Sequence, residues 1–262
     1  MDDDVTGDEH LRVEHADGVL RLTMDRPAAM NALTWPMMRT MIEAIERAGS
    51  DEETRVVVLA GSGGHFSAGA DIGGEGAHER FDVRAMDVTN RLIRAITGCA
   101  KPVVASVHGV AAGVACGIAL AADLQVVHTD ASFLLAFARI GFMPDGGTSA
   151  SVAASVGRAR AMRMAMLAEP LGAPEAYERG LVSHLTTSDH HEVLGKVVHR
   201  LRTGPPLAYT ATKRAINDAS VPTLDAALET ERTGQTVLMR TADVAEGMAA
   251  FNEGRKPVFR GE

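Results

Sequence analysis

Apolar and polar positions change rhythm along this chain, and the changes predict its elements. Residues 11–14 and 19–24 alternate on either side of Asp17-Gly18, which predicts two strands joined by a tight hairpin. Residues 35–48 repeat at helical spacing, with Thr34 placed as N-cap and Pro36 in the first turn. Residues 55–59 read as a buried strand closed by Gly61-Ser62-Gly63-Gly64. A helix over 80–96, a strand over 102–107, a short helix over 114–122 and a strand over 124–127 follow. Strands alternating with helices through residue 130 predict βαβ crossovers. After Gly146-Gly147 the pattern is almost wholly helical, over 148–155, 159–167, 174–179, 190–202, 206–217, 223–240 and 242–252. Only 181–185 reads as a late strand. The simplest organisation is an acidic, disordered tail over 1–10, an α/β core over 11–200 and a helical region over 201–262.

Composition narrows the function classes. Of 262 residues 46% are hydrophobic, enough for a sizeable core. Aromatics are only 4%, which favours close backbone packing over aromatic platforms. A formal net charge of −8 argues against a general nucleic-acid or anionic-membrane partner. No apolar stretch is long enough to span a bilayer, and the acidic start lacks the basic and apolar parts of a secretion signal. Cys99 and Cys116 are the only cysteines and form no metal-binding pair, so they read as reduced buried thiols in a cytoplasmic protein. His108 and His128 read as hydrogen-bonded structural residues, His65 as a surface-loop histidine, and the adjacent His190-His191 as no metal site. The ten methionines from Met24 to Met166 read as core packing.

Two segments carry candidate chemistry. His65-Phe66-Ser67-Ala68-Gly69-Ala70-Asp71-Ile72 and Gly109 to Gly117 each follow an apolar strand and are rich in small residues. Two such turns can set two backbone N–H groups around one carbonyl oxygen, which stabilises an enolate without a side chain. Val114 would open a helix, where N–H groups are free and the dipole end is positive. Each turn alone is a common packing device; the pair is more specific.

The landmarks together resemble those of the crotonase superfamily, the enoyl-CoA hydratase/isomerase family. They are Asp25-Arg26-Pro27 with Asn31-Ala32-Leu33, Phe66 to Ile72, Lys101-Pro102-Val103, His108-Gly109-Val110-Ala111, Pro144-Asp145-Gly146-Gly147, Ala176 to Val182 and Glu246 to Phe251. The resemblance implies an α/β fold, a spiral of ββα units with a helical C-terminal trimerisation region. It implies an acyl-CoA thioester substrate, with CoA arriving as part of the substrate and no separate cofactor. It places the oxyanion donors at Ala68 and Val114, where Val replaces the family's frequent Gly. It places CoA contacts at Ala28, Ala70, Asp71 and Ile72, with Arg26, Lys256 and Arg260 as phosphate candidates. Asp71 reads equally as a helix cap after a turn, and each basic residue as solvated surface. A homotrimer, or a dimer of trimers, is implied.

Two glutamates serve hydration in the family, and the corresponding positions here are Gly117 and Phe137. Neither residue can transfer a proton. Asp145 is the remaining acid. Its surroundings, Ala136 to Gly147 and Gly157 to Met162, look most like the epoxyphenylacetyl-CoA isomerase branch. One carboxylate suffices to take an α-proton and return it at the γ carbon, and burial in an apolar pocket raises its pKa toward that task. Pro-Asp-Gly-Gly is also a strong turn sequence, in which Asp bonds its own backbone. Phe137, Phe142, Pro144 and Gly117 would line the acyl pocket. The sequence therefore predicts an acyl-CoA isomerase. A hydratase with an atypical acid/base set and a catalytically silent acyl-CoA-binding homologue stand as alternatives.

Overall fold

The computed structural model describes residues 9–74 and 77–262. The predicted tail lies outside the described residues up to position 8, and His10 already accepts the Asp25 N–H at 2.8 Å. β1 (Leu11–Ala16) and β2 (Val19–Met24) form the expected hairpin, with Leu11 opposite Met24. Asp17 and Gly18 both take positive φ, 51° and 76°, the mirror-image turn that Asp-Gly favours. α1 (Trp35–Ser50) starts where predicted: the Thr34 hydroxyl accepts the Met37 N–H at 3.3 Å and Pro36 sits in the first turn. It leads to β3 (Val56–Gly61), which lies parallel to β2.

α2 (Val83–Gly98) begins later than predicted. A 3₁₀ turn at Ala77–Arg80 ends first, and Asp82 then caps a new start by accepting the Arg84 N–H at 2.8 Å. β4 (Val103–Val107), β5 (Val110–Ala112), α3 (Val114–Ala121), β6 (Leu124–His128) and β7 (Ser132–Leu134) follow. A 3₁₀ turn at Ala136–Ile140 leads to α4 (Thr148–Val156), α5 (Arg158–Leu167), β8 (Leu171–Gly172), α6 (Ala173–Glu178) and β9 (His184–Thr186). The chain closes with α7 (His190–Thr203), α8 (Pro206–Ser220), α9 (Leu224–Leu238) and α10 (Ala242–Glu253).

The main sheet runs β1-β2-β3-β4-β6-β9, and every pair beyond β1–β2 is parallel. Its inner strands β3 and β4 are buried along their whole length, so they read as continuous apolar runs. Val57, Leu59, Val103 and Ala105 join the core with Met37, Met41 and Ile42 of α1 and Leu92 and Ile96 of α2. Val56, Val104 and Val126 pack the other way, against Leu194 of α7. His190 pins that helix: its ring nitrogens meet Ser106 Oγ at 2.9 Å and Thr186 Oγ1 at 2.8 Å. The small sheet β5-β7-β8 was not expected, because strands of two or three residues have no alternation to read.

Two boundaries move. The predicted strand at 181–185 starts only at His184, because the Leu181 N–H closes α6 on Ala176 O at 2.8 Å around left-handed Gly180. Residue 200 lies within α7, so the helical region proper starts beyond Gly204. There α9 packs on α2 and α4, tied by Asn90 Nδ2 donating to Leu228 O at 3.0 Å. Among the described residues no helix is long and apolar enough to cross a membrane.

Candidate active site

The loop after β3 is organised by one buried side chain. Asn31 donates to Ser62 O (2.8 Å) and His65 O (2.7 Å), and its Oδ1 accepts the Arg26 N–H at 2.9 Å. Ser67 Oγ then donates to Asn31 O at 2.7 Å and accepts the Gly69 N–H at 3.1 Å. The loop after β4 carries left-handed Gly109 and Gly113 on either side of β5.

The structure zips the two predicted turns together. Phe66 N–H donates to His108 O (2.8 Å), Ser67 N–H to Val110 O (3.0 Å) and Ala112 N–H back to Ser67 O (3.0 Å). Val110 N–H donates to His65 Nδ1 at 3.2 Å, so His65 joins the turns rather than decorating a surface loop. His108 Nε2 meets Gly63 O at 2.8 Å. Contact between the turns is backbone on backbone: a Cβ on Gly69, whose φ is 96°, would stand 2.7 Å from Ala112 O. Only glycine fits there.

The two predicted donors differ. Val114 is the first residue of α3, where an N–H has no helical carbonyl to meet. The Ala68 N–H, by contrast, is given to Met30 O at 2.9 Å. This corrects the expectation of two free donors. Met30 and Asn31 are both left-handed, φ 48° and 56°, and this folds the Met30 carbonyl over the first turn.

Gly117 lies one helical turn beyond Val114. A Cβ on it would stand 2.6 Å from Gly146 O, and the Gly146 backbone lies beside Val114 Cγ2 as well. The Asp145-Gly146-Gly147 loop therefore occupies the space that a side chain at 117 would need. Phe137 is buried, and its ring packs against Gly113. Phe142 is also buried and meets Phe81, which stacks edge-on with Trp35.

Asp145 does not bond its own backbone through its side chain. Its Oδ2 accepts from Gln235 Nε2 at 3.0 Å, and its Oδ1 is buried with no hydrogen-bond partner among the described residues. Burial, aided by the buried carboxylate of Glu231 and opposed by the Gln235 hydrogen bond, pushes its pKa up to about 7. Glu231, fully buried on α9, accepts the Gly147 N–H (2.8 Å), the Ser149 N–H (3.0 Å) and the Ser149 hydroxyl. It thus supplies a carboxylate at the N-terminus of α4, a favourable place for negative charge. A cavity of about 390 Å³ opens behind this loop, where Gly117 and Gly147 face Leu224 and Lys213.

A family description, enoyl-CoA hydratase/isomerase, matches residues 14–262. The chain belongs to this family. A Rhodobacter capsulatus protein named "probable enoyl-CoA hydratase" is 39% identical over 96% of this chain and 98% of its own length. The 1,2-epoxyphenylacetyl-CoA isomerase of Escherichia coli is 32% identical over 94% and 96%. A crystal structure of an enoyl-CoA hydratase from Mycobacterium avium subsp. paratuberculosis superposes with a TM-score of 0.90 at 44% identity, covering 96% of this chain and 98% of that one. The crotonase fold, with its helical C-terminal region, is thereby established.

Within this family frame, the residues expected to meet CoA divide. Ala28 is exposed on a 3₁₀ turn, and Ala70 and Ile72 are half-buried beside the first glycine-rich turn. Arg26 is committed elsewhere: its guanidinium donates to Asp71 Oδ2 (2.9 Å) and Ala32 O (2.7 Å). Asp71 Oδ1 accepts the Gly73 N–H at 3.1 Å, so its carboxylate caps a turn. Burial raises the Asp71 pKa, but the Gly73 bond and Arg26 outweigh it and hold the group below its ordinary value. Lys256 is exposed after α10, whose Asn252 donates to Gly74 O at 3.1 Å and brings that segment toward the Asp71-Ile72 loop. The backbone N–H of Arg260 bonds Asp243 Oδ1 at 2.7 Å. No cluster of three or more metal-ligating side chains occurs among the described residues.

Sequence reasoning placed α9, over 223–240, but missed its part in the site, and it missed Asn31 as the loop's clamp. A signal for the role of α9 existed. Leu224, Leu228, Glu231, Gln235 and Leu238 recur at core spacing, and two polar residues in such a stripe need an internal partner.

Proposed function

We propose that this enzyme shifts a double bond in an acyl-CoA thioester through an enolate, with Asp145 as the single acid/base. The observation that carries this reading is the Asp145 carboxyl, with one oxygen bonded and the other buried and unbonded, in a loop whose next residue, Gly146, packs on Val114 and Gly117 of α3, while positions 117 and 137 hold Gly and Phe. Asp145 removes an α-proton from a Δ3-enoyl thioester. The electron pair passes onto the thioester oxygen as a dienolate. The same carboxyl returns the proton at the γ carbon, and the double bond ends conjugated with the carbonyl. Val114 N–H meets the oxyanion, and Ala68 N–H joins it by exchanging Met30 O for the thioester oxygen. Ring-epoxide rearrangement through the same enolate belongs to the same reading.

CoA enters as part of the substrate. Ala28, Ala70 and Ile72 take its pantetheine and adenine portions, and Lys256 its phosphates. Phe137, Phe142 and Pro144 form the acyl wall. The reading includes a homotrimer or hexamer in the cytoplasm.

The test is turnover of a Δ3-enoyl-CoA by wild type and Asp145→Asn. Formation of conjugated thioester that disappears in the variant is expected; equal turnover in both overturns the assignment. Hydration is the second reading, favoured by the naming of the 39%-identical relative. Hydration of crotonyl-CoA that depends on Asp145 would establish it instead.

A further inference from the structure

The C-terminal helical region reaches the site through α9, and it does so with buried polar side chains. Gln235 is 1% exposed. Its Nε2 donates to Asp145 Oδ2 at 3.0 Å while its Oε1 accepts the Met143 N–H at 3.3 Å. These two contacts fix the amide. A flipped amide would set oxygen against carboxylate and N–H against N–H, and no bulk water reaches the group to compensate. One turn earlier Glu231 holds Gly147 and Ser149. Between them Gly234 has no side chain, and Met143 Sδ lies where its Cβ would be. One face of one helix thus clamps residues 143–149 on both sides of Asp145.

We infer that Gln235 is a positioning residue: from α9 it holds Asp145 Oδ2 and so presents Oδ1 as the proton-transfer atom. The inference rests on the acid/base reading of Asp145. A carboxylate has two equivalent oxygens and free rotation about its last bond. With one oxygen bonded, rotation stops and a single atom faces the substrate. Removing the bond restores the rotation, and misplacement of a reacting group by about 1 Å can cost roughly 100-fold. The groups acting on Asp145 are few. α9 contributes Glu231 and Gln235. α3 meets the adjoining Gly146 through Val114 and Gly117, which do not titrate. Glu231 and Gln235 push the titration of Asp145 in opposite directions.

That opposition gives the test. Rates of a Δ3-enoyl-CoA are measured against pH for wild type, Gln235→Met, Glu231→Gln and Asp145→Asn. Asp145 is also titrated directly by carboxyl ¹³C NMR, assigned with the Asn variant. Gln235→Met is expected to lower kcat by roughly 10- to 100-fold with KM within about twofold. It moves the acidic limb, and the NMR titration, to higher pH. Glu231→Gln moves both to lower pH. Shifts of the same sign, no shift, or a loss confined to KM would overturn the inference. If Gln235→Met does not fold, Gln235→Glu keeps the volume and decides the matter. Its carboxyl raises the pKa of Asp145 further, so more activity is lost at pH 6, where Asp145 stays protonated, than at pH 8, and a uniform loss would overturn the inference. Asp145→Asn separates the two readings. Full activity in that variant removes Asp145 from the chemistry. An inactive Asp145→Asn beside an unshifted Gln235→Met removes only the role of Gln235.

Discussion

The two halves of the site are held in different ways. The paired turns at Ala68 and Val114 are joined by backbone bonds between neighbouring loops of one core. The Asp145 loop is held by side chains of a helix 84 and 90 residues further along. A backbone donor tolerates changes of side chain, so Val can stand at 114. A carboxyl group depends on every neighbour that solvates or aims it. The first half is therefore robust to substitution except at its glycines and at its side-chain clamps, Asn31 and His65, and the second is sensitive at residues far from it in the chain.

The largest test of this contrast is Asp145→Asn beside Val114→Ala. The first should lower kcat by about 10²- to 10⁴-fold, the range for losing a general acid/base, and the second by less than about tenfold. Comparable losses would erase the distinction. In wild type, kcat/KM for proton abstraction should rise with pH through about 7, because the base must be ionised. The same shift sets a stability cost. With a folded pKa above the ordinary 3.8, the folded state holds its proton longer than the unfolded one. Stability is then lost as pH rises from 3.8 to about 7. Asp145→Asn should accordingly melt higher than wild type at pH 8 and gain nothing at pH 3.

Next in size is Gly69→Ala. It combines a left-handed φ with a Cβ 2.7 Å from Ala112 O, and should cost roughly 2–4 kcal/mol in denaturant titration. Gly117→Ala meets one obstacle, the Gly146 carbonyl, which can yield by moving the loop. About 1–3 kcal/mol is expected, with a larger proportional loss of kcat because Asp145 moves with the loop. An active, fully stable Gly117→Ala would show that the loop is not packed on α3.

The smallest effect is at Arg26–Asp71, a partly exposed pair at 2.9 Å. Asp71→Asn should cost at most about 1 kcal/mol at pH 7. The Asp71 pKa lies below its ordinary 3.8, so its contribution is present above that value and lost as pH falls beneath it. The variant and wild type should converge in stability once the pH lies below the lowered pKa of Asp71.

Much of this was legible in the sequence. The hairpin, α1 with its Thr34 cap, the buried strands and the two glycine-rich turns all follow from local pattern. The missing acids at Gly117 and Phe137 also follow once the family resemblance is drawn. What stayed hidden depends on residues distant in sequence. β5, β7 and β8 exist only because they pair. Leu181 and Val182 are buried by closing α6, not by joining a strand. The Ala68 N–H is bonded because two residues near 30 are left-handed, and nothing in Ala-Met-Asn forces that conformation. Asp145 looked like a turn former because its partners, Glu231 and Gln235, sit on α9, far along the chain.

The bond from Val110 to His65 carries a consequence for how the molecule assembles. It joins residues 45 positions apart, across α2 and β4. Chain entropy must be lost over that whole span before the contact returns anything, so the hairpin and local helices have a head start. We expect the pocket to close after the rising limb of folding. His65→Ala, which deletes the acceptor but little core, should accelerate unfolding and leave refolding nearly unchanged, a φ-value near 0. A value near 1 would instead make the pocket the nucleus around which the rest of the fold condenses.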